Sequence, residues 1–200
     1  LYPFQFGFRE KRNTTMALIS IVDSISQAFQ FGKSSIGLFI DFRKAFDCVN
    51  HHILISKLER YGIRGIASQW IRSYLSSRSQ YVAFQNNSSD NRELTCGVPQ
   101  GSILGPLLFL VYINDFPKAS RVLSTYLYAD DANSFINTND INEGLATLQL
   151  EIPRLLEWTH SNKLTINSEK THYVIFTHKN LRQIVLPQLL MNNQILELKS

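Results

Sequence analysis

Two hundred residues, 44% of them hydrophobic, suffice to bury a real core and fit one domain built as two lobes. Twenty Lys and Arg against 16 Asp and Glu leave a net charge of +4, a modest basic balance that suits a polyanionic partner. Cys48 and Cys96 lack CxxC spacing, which argues against a zinc site and for a reducing intracellular compartment; no secretory signal is evident, and the longest apolar run, 104–113, falls well short of the roughly 20 residues a membrane helix needs.

The chain opens at Leu1 without a methionine and stops at Lys199-Ser200, so the expectation is a piece of a larger polyprotein or a genomic fragment. Thr14 or Thr15 is expected to cap a first helix, in which Ala17, Leu18, Ile21, Ile25, Ala28 and Phe29 recur at helical intervals up to Gly32. A strand ending at Asp41 follows. Residues 49–61 predict a second helix, carrying Ile53, Leu54, Leu58 and Tyr61 and closed by Gly62 in a left-handed conformation. Residues 66–77 predict a third, with Trp70, Ile71, Tyr74 and Leu75. Residues 80–84 and 93–96 read as two strands around the polar loop 86–91. A buried helix is expected over 102–116, with Pro106 in its first turn. Two strand-like runs then flank Asp130 and Asp131. Asp140-Ile141-Asn142-Glu143 resembles a capping box; its helix places Ile141, Leu145, Leu148, Ile152, Leu155 and Leu156 on one face and should kink at Pro153. Residues 171–176 read as a strand, and 184–186 with 195–198 as a final pair. The sum is an α+β fold, an antiparallel sheet of strands from distant segments with helices on one face.

The chemistry starts at Tyr128-Ala129-Asp130-Asp131. Successive side chains on a strand point to opposite faces, so two neighbouring acids share a side only where the chain turns, and a tight hairpin with the acids at its tip resolves this. Like charges there repel by roughly 1 to 4 kcal/mol at 4 Å, a cost that a divalent cation removes. An ordinary acidic turn is the plain alternative. Phe39-Ile40-Asp41-Phe42-Arg43-Lys44-Ala45-Phe46-Asp47 adds a lone acid at the end of an apolar run, as a two-metal site needs: ligands from separate strands converging on one point. Between them, the glycines and prolines of Gly97-Val98-Pro99-Gln100-Gly101-Ser102-Ile103-Leu104-Gly105-Pro106 let backbone approach a flat ligand closely.

These segments, in this order, resemble the reverse transcriptase domain of non-LTR (LINE-like, jockey- or CR1-like) retrotransposons. The resemblance begins at Gln5-Phe6-Gly7-Phe8-Arg9 and runs to Asn162-Lys163-Leu164-Thr165-Ile166-Asn167-Ser168-Glu169-Lys170-Thr171, covering nearly the whole chain. It implies a right-hand polymerase: fingers parts at about 1–35 and 62–98, palm at about 36–61 and 99–200, and the thumb absent. It implies an RNA-directed DNA polymerase, a nucleotidyltransferase that adds dNTPs to a primer 3′-hydroxyl on an RNA template, working intracellularly in nucleus and cytoplasm with the rest of the retrotransposon polyprotein and no membrane. The fragment alone is expected to be weak or inactive.

The site residues follow from the same resemblance. Asp41 and Asp130, with Asp131 assisting and the Phe42 carbonyl completing the set, are the expected ligands of two Mg²⁺ ions roughly 3.5 to 4 Å apart, for which Mn²⁺ can substitute. Phe46 is expected beneath the sugar, excluding a 2′-hydroxyl; otherwise it is a core phenylalanine. Gln100 and Gly101 are expected to line the nucleotide pocket and template base, and Lys170 to approach the leaving pyrophosphate. Arg9, Arg43 and Lys44, with Lys11, Arg12 and Lys33, form either a template contact or a solvated basic face. His51 and His52 read as structural, and Trp70 and Trp158 as core. Two other classes remain: a non-catalytic nucleic-acid-binding relic, which has no reason to keep all three acids, and a nucleotidyl cyclase of palm fold, which explains neither residues 97–106 nor Phe46.

Overall fold

The computed structural model describes residues 1–199. In chain order it forms α1 (Thr14–Gln30), β1 (Ser34–Ile40), α2 (His51–Arg60), α3 (Gly65–Leu75), β2 (Ser79–Gln80), β3 (Ala83–Phe84), β4 (Asn87–Ser88), β5 (Arg92–Glu93) and α4 (Leu104–Ile113). After a 3₁₀ turn at Phe116–Ala119 come β6 (Ser124–Tyr128), β7 (Asp131–Thr138), α5 (Ile141–Ser161), β8 (His172–Phe176), β9 (Leu190–Met191), β10 (Gln194–Ile195) and β11 (Glu197–Lys199). The helix starts are chemically plain. Asn50 and Asp140 accept hydrogen bonds from the N–H groups of Ile53 and Glu143. For α1 the cap is Asn13, which accepts from the Met16 N–H at 2.9 Å, in place of the expected Thr14 or Thr15. Pro106 does lie in the first turn of α4, and α5 runs through Pro153 without a break.

The chain divides into two compact units, Leu1–Arg43 with Ile113 onward, and Lys44–Tyr112. The first is built on a five-stranded sheet in the order β11-β8-β1-β7-β6. Its centre is β1, antiparallel to both β7 and β8, while β11 runs parallel to β8 and so departs from the all-antiparallel expectation. The second strand expected at the end, 184–186, is irregular; β10 pairs with β9 instead.

Helices cover both faces of this sheet, not one. Phe39 and Phe135 meet edge to face at 5.8 Å, and with Phe6 and Tyr126 they pack against Ala17, Ile21 and Ile25 of α1. Ile36 points to the opposite face, where α5 sits so close that a Cβ on Gly144 would lie 2.8 Å from the Ile36 Cδ1. The physical reason is in β1 itself. Six of its seven residues are buried, Ser34 and Ser35 among them, and 36–40 are apolar on both sides, which leaves no face for water. Gly37 lets the face close: a Cβ there would lie 2.6 Å from the Phe135 ring. Beyond the strand, Phe42, Phe116 and Trp158 meet edge to face in series with centroids 5.6 and 5.0 Å apart, so Trp158, half-buried, borders the core.

The second unit packs α2 on α3 and carries the almost wholly apolar α4. Lys57 is buried because its Nζ donates to the Tyr112 carbonyl at 2.6 Å, which satisfies the ammonium inside the unit. The expected pair of strands is broken into two short ladders, β2 with β5 and β3 with β4. Trp70 is 57% exposed and not a core residue; α3 buries Ser68, Ile71 and Leu75, and Trp70 lies about 100° round the helix from Ile71.

Candidate active site

In the first unit the hairpin forms where the alternation argument put it, with Asp130 in the turn and Asp131 opening β7, not both acids at the tip. Tyr128 pairs with Asp131, so Ala129 and Asp130 form a two-residue turn between β6 and β7. Ala129 takes φ +53°, a left-handed conformation that lets so short a turn close. Asp41 leaves the end of β1 beside this hairpin, because Ile40 pairs with Ala132. Three elements therefore bring Asp41, Asp130 and Asp131 into one electrostatic group. Burial pushes the Asp130 carboxyl above the usual range, its own backbone N–H opposes that, and the Asp41 charge adds to it. Asp131 is raised by burial, then by Asp130 and by Asp41.

The segment after α5 holds Asp41 in place. The Asn167 N–H donates to the Asp41 carbonyl at 2.8 Å, and the Asn167 Nδ2 to the Asp41 Oδ2 at 3.1 Å. The Asp41 N–H donates in turn to the Thr171 Oγ1 at 3.3 Å. Phe42 bridges Ile166, but the bridge's bonds use the Asp41 carbonyl and the Arg43 N–H, so neither takes the Phe42 carbonyl. Asp41, Asp131 and Lys170 together line a cavity of about 480 Å³, with Tyr128, Asn133 and His172. Arg9 is engaged within the fold. Its Nη1 donates to the carbonyls of Tyr2 and Gln5, at 2.9 and 3.2 Å. Arg43 is exposed at the surface.

The remaining residues belong to the second unit. Phe46 is half-buried and stacks on Phe109, centroids 4.4 Å apart and planes at 27°. Gln100 donates from Nε2 to the Asp47 Oδ1 at 2.7 Å, and both line a cavity of about 690 Å³ with Lys44, His51, Arg78 and Gln80. Gly101 has φ +78° and open space around it, whereas a Cβ on Gly97 would come within 2.9 Å of the Asp47 carbonyl. His51 is structural, its Nε2 within 2.7 Å of the Gly97 carbonyl oxygen. Cys48 and Cys96 are free thiols.

A family model described as "Reverse transcriptase (RNA-dependent DNA polymerase)" matches residues 1–189. The chain belongs to the reverse transcriptase family. It is 34% identical over 198 residues to the probable RNA-directed DNA polymerase from transposon BS of Drosophila melanogaster, covering 92% of this chain and 21% of that protein. It is 30% identical to the RNA-directed DNA polymerase from mobile element jockey of the same fly, covering 88% and 20%. These relatives place it with the reverse transcriptase domains of non-LTR retrotransposons, and the chain spans about a fifth of their length. Among solved structures it is similar to telomerase from Candida albicans in complex with a fragment of telomeric RNA, with a TM-score of 0.63 at 14% identity over 96% of this chain and 33% of that one. Apo telomerase from Candida tropicalis gives 0.60 at 12% identity, over 84% and 36%.

Reverse transcriptases use divalent metal ions. Among the described residues no group of three or more His, Cys, Asp or Glu side chains forms a ready cage. The carboxylate oxygens of Asp41 and Asp131, which line one cavity, are donors of the type a hard divalent cation takes. The raised Asp130 carboxyl, lifted first by burial and then by the Asp41 charge, has a measurable consequence. A carboxyl whose folded-state pKa is raised favours folding below its unfolded value, and that contribution is lost as pH rises through the folded value. At neutral pH the ionised acids therefore strain the metal-free hairpin. Asp130→Asn should raise the melting temperature of the protein in EDTA by about 1 to 3 °C at pH 7, an effect kept small by solvent screening, and by less at pH 4. A lower melting temperature at pH 7 would contradict it.

Two residues of this site carried no assigned role in the sequence. Asn167 bonds the Asp41 carboxylate and carbonyl and Gln5 the backbone of Ala129 and Gly7, and a single uncharged amide gives no periodic or charge signal for such a task.

Proposed function

We propose that this chain is the polymerase part of a non-LTR retrotransposon reverse transcriptase, which copies an RNA template by adding dNTPs to a DNA primer 3′-hydroxyl. The observation that carries the proposal is the grouping of Asp41, Asp130 and Asp131 at the end of β1 and the β6–β7 turn. The palm would comprise about 36–61 and 99–200, with fingers parts at about 1–35 and 62–98. Asp41, Asp130 and Asp131 with the Phe42 carbonyl would hold two Mg²⁺ ions, which Mn²⁺ could replace. When bound, the ions lower the pKa of the primer hydroxyl and neutralise the triphosphate.

The chain's own residues do the rest. Asn167 and Thr171 fix Asp41 so that its second carboxylate oxygen stays available. Lys170, on the same cavity as Asp41 and Asp131, offers its ammonium to the pyrophosphate as the α–β phosphate bond breaks and the 3′-oxygen bonds to the α-phosphorus. Gln100 and Gly101 border the template base and incoming nucleotide, and Phe46 screens the sugar. The site of action is the nucleus and cytoplasm, with the rest of the retrotransposon polyprotein attached.

The test is primer extension on poly(rA) with an oligo(dT) primer and Mg²⁺, using the full retroelement protein. No synthesis with Mg²⁺ or Mn²⁺ would leave a nucleic-acid-binding relic as the better reading. Template grip has its own measurement. If Arg43 and Lys44 contact backbone phosphates, neutralising both should flatten the slope of log affinity against log salt for an RNA–DNA duplex by about one to two units. An unchanged slope would make them a solvated face. Arg9, tied to the Tyr2 and Gln5 carbonyls, should contribute less than either.

A further inference from the structure

The two-residue turn that presents Asp130 has an unusual source of support. Ala129 is only 5% exposed, so its N–H and C=O need partners away from water. The hairpin ladder supplies neither, because the Tyr128–Asp131 pair closes below it. Gln5, 1% exposed, supplies both. Its Oε1 accepts from the Ala129 N–H at 3.0 Å, and its Nε2 donates to the Ala129 carbonyl at 3.3 Å. The same Oε1 accepts from the Gly7 N–H at 2.8 Å, which fixes the amide's orientation: only the oxygen end can meet two N–H groups.

The backbone around Gln5 is anchored to the same hairpin. The Phe6 N–H donates to the Leu127 carbonyl at 2.8 Å, and the Leu127 N–H to the Phe4 carbonyl at 2.9 Å, so residues 4–6 lie along the outer edge of β6. Gly7 then passes directly over the turn. A Cβ on it would sit 2.3 Å from the Ala129 nitrogen, a distance no side chain can occupy. An amide clamp and a glycine contact thus converge on the one residue that precedes Asp130.

We infer that Gln5 is a positioning residue for catalysis: it clamps the Ala129 peptide and so sets the direction of the Asp130 carboxylate toward Asp41. The inference rests on the polymerase reading. The Gln5 side chain is buried and bonds backbone groups of Ala129 and Gly7, so it acts through the turn. Partners of this kind, one bond removed from a ligand, typically change metal affinity or activity by about 10- to 100-fold when removed.

The experiment measures primer extension by the full retroelement protein on poly(rA)/oligo(dT) as a function of Mg²⁺ and then Mn²⁺, with a melting curve for each protein. Gln5→Met keeps the length and removes all three hydrogen bonds. Gln5→Glu keeps the acceptor and turns an oxygen toward the Ala129 carbonyl. Both should need about tenfold more Mg²⁺ for half-maximal rate and lose about 10- to 100-fold in kcat, with the KM for primer–template unchanged. Mn²⁺ should restore part of the rate, because Mg²⁺ demands near-ideal octahedral geometry. Gly7→Ala, whose Cβ would press on the Ala129 nitrogen, should shift the Mg²⁺ requirement the same way. A lowered melting temperature with wild-type Mg²⁺ dependence per folded molecule would make Gln5 a fold residue only and overturn the inference, as would failure of both Gln5 variants to fold. An inactive wild-type protein would instead overturn the polymerase reading, so the two failures are distinct.

Discussion

Asp41→Asn or Asp130→Asn should each slow primer extension by at least about a thousandfold while leaving the affinity for primer–template near the wild-type value. Asparagine preserves the shape of the side chain and removes the charge, so the loss measures ligation and not packing. For Asp41 the control is built in, since the Asn167 N–H still reaches the Asp41 carbonyl and keeps the backbone where it is. Asp131 opens β7 and pairs with Tyr128 of β6, its carboxyl partly desolvated on a residue that keeps much of its surface in water, so Asp131→Asn should fall less, by about ten- to a hundredfold. Single-turnover rates at saturating dNTP, across a Mg²⁺ titration, separate weakened ion binding from a slower chemical step. Full activity in the Asp41 or Asp130 variant would remove the basis of the two-metal assignment.

Phe46→Val should raise incorporation of rNTPs relative to dNTPs by about ten- to a hundredfold, the discrimination a few buried carbons can supply in a pocket. The same change carries a structural cost, because Phe46 stacks on Phe109 inside its unit. Losing most of a half-buried ring should destabilise the protein by about 1 to 3 kcal/mol. The two effects are read separately, by the ratio of kcat/KM values for the two sugars and by the melting temperature. A lower melting temperature with an unchanged sugar ratio would leave Phe46 as a core residue alone.

What the sequence made legible was whatever a period or a charge could report. The Asp-Asp turn was readable because two adjacent acids conflict with strand alternation. The α5 face was readable because its apolar residues recur at helical spacing: Ile141, Leu145, Leu148, Ile152 and Leu155 are buried, while Leu156, also expected there, is only half-buried. The α1 start was misplaced by one residue, since Asn13, Thr14 and Thr15 are all good caps and only geometry chooses among them. Trp70 was misplaced because apolar neighbours on a helix do not share a face. Residues 184–186 carry strand-like side chains but found no partner in the sheet, and pairing, not propensity, makes a strand. Helices on both faces could be inferred only from the unbroken apolar character of β1, and the parallel β11 carries no signal in sequence at all. Asn167 and Gln5 stayed hidden because their work is done on backbone groups, whose needs depend on the fold.

The central place of β1 also sets a timetable for synthesis. Its residues 34–40 pair only with 131–138 and 172–176, and Asp41 takes its bonds from 167 and 171. At about 5 to 20 residues per second, the ribosome leaves that strand unpaired for on the order of ten seconds. During that interval the nascent chain displays Ser-Ser-Ile-Gly-Leu-Phe-Ile, seven residues without a charge or a proline, which is the composition that seeds intermolecular pairing. The strand that aims Asp41 is therefore also the segment most in need of a chaperone while the chain is being made.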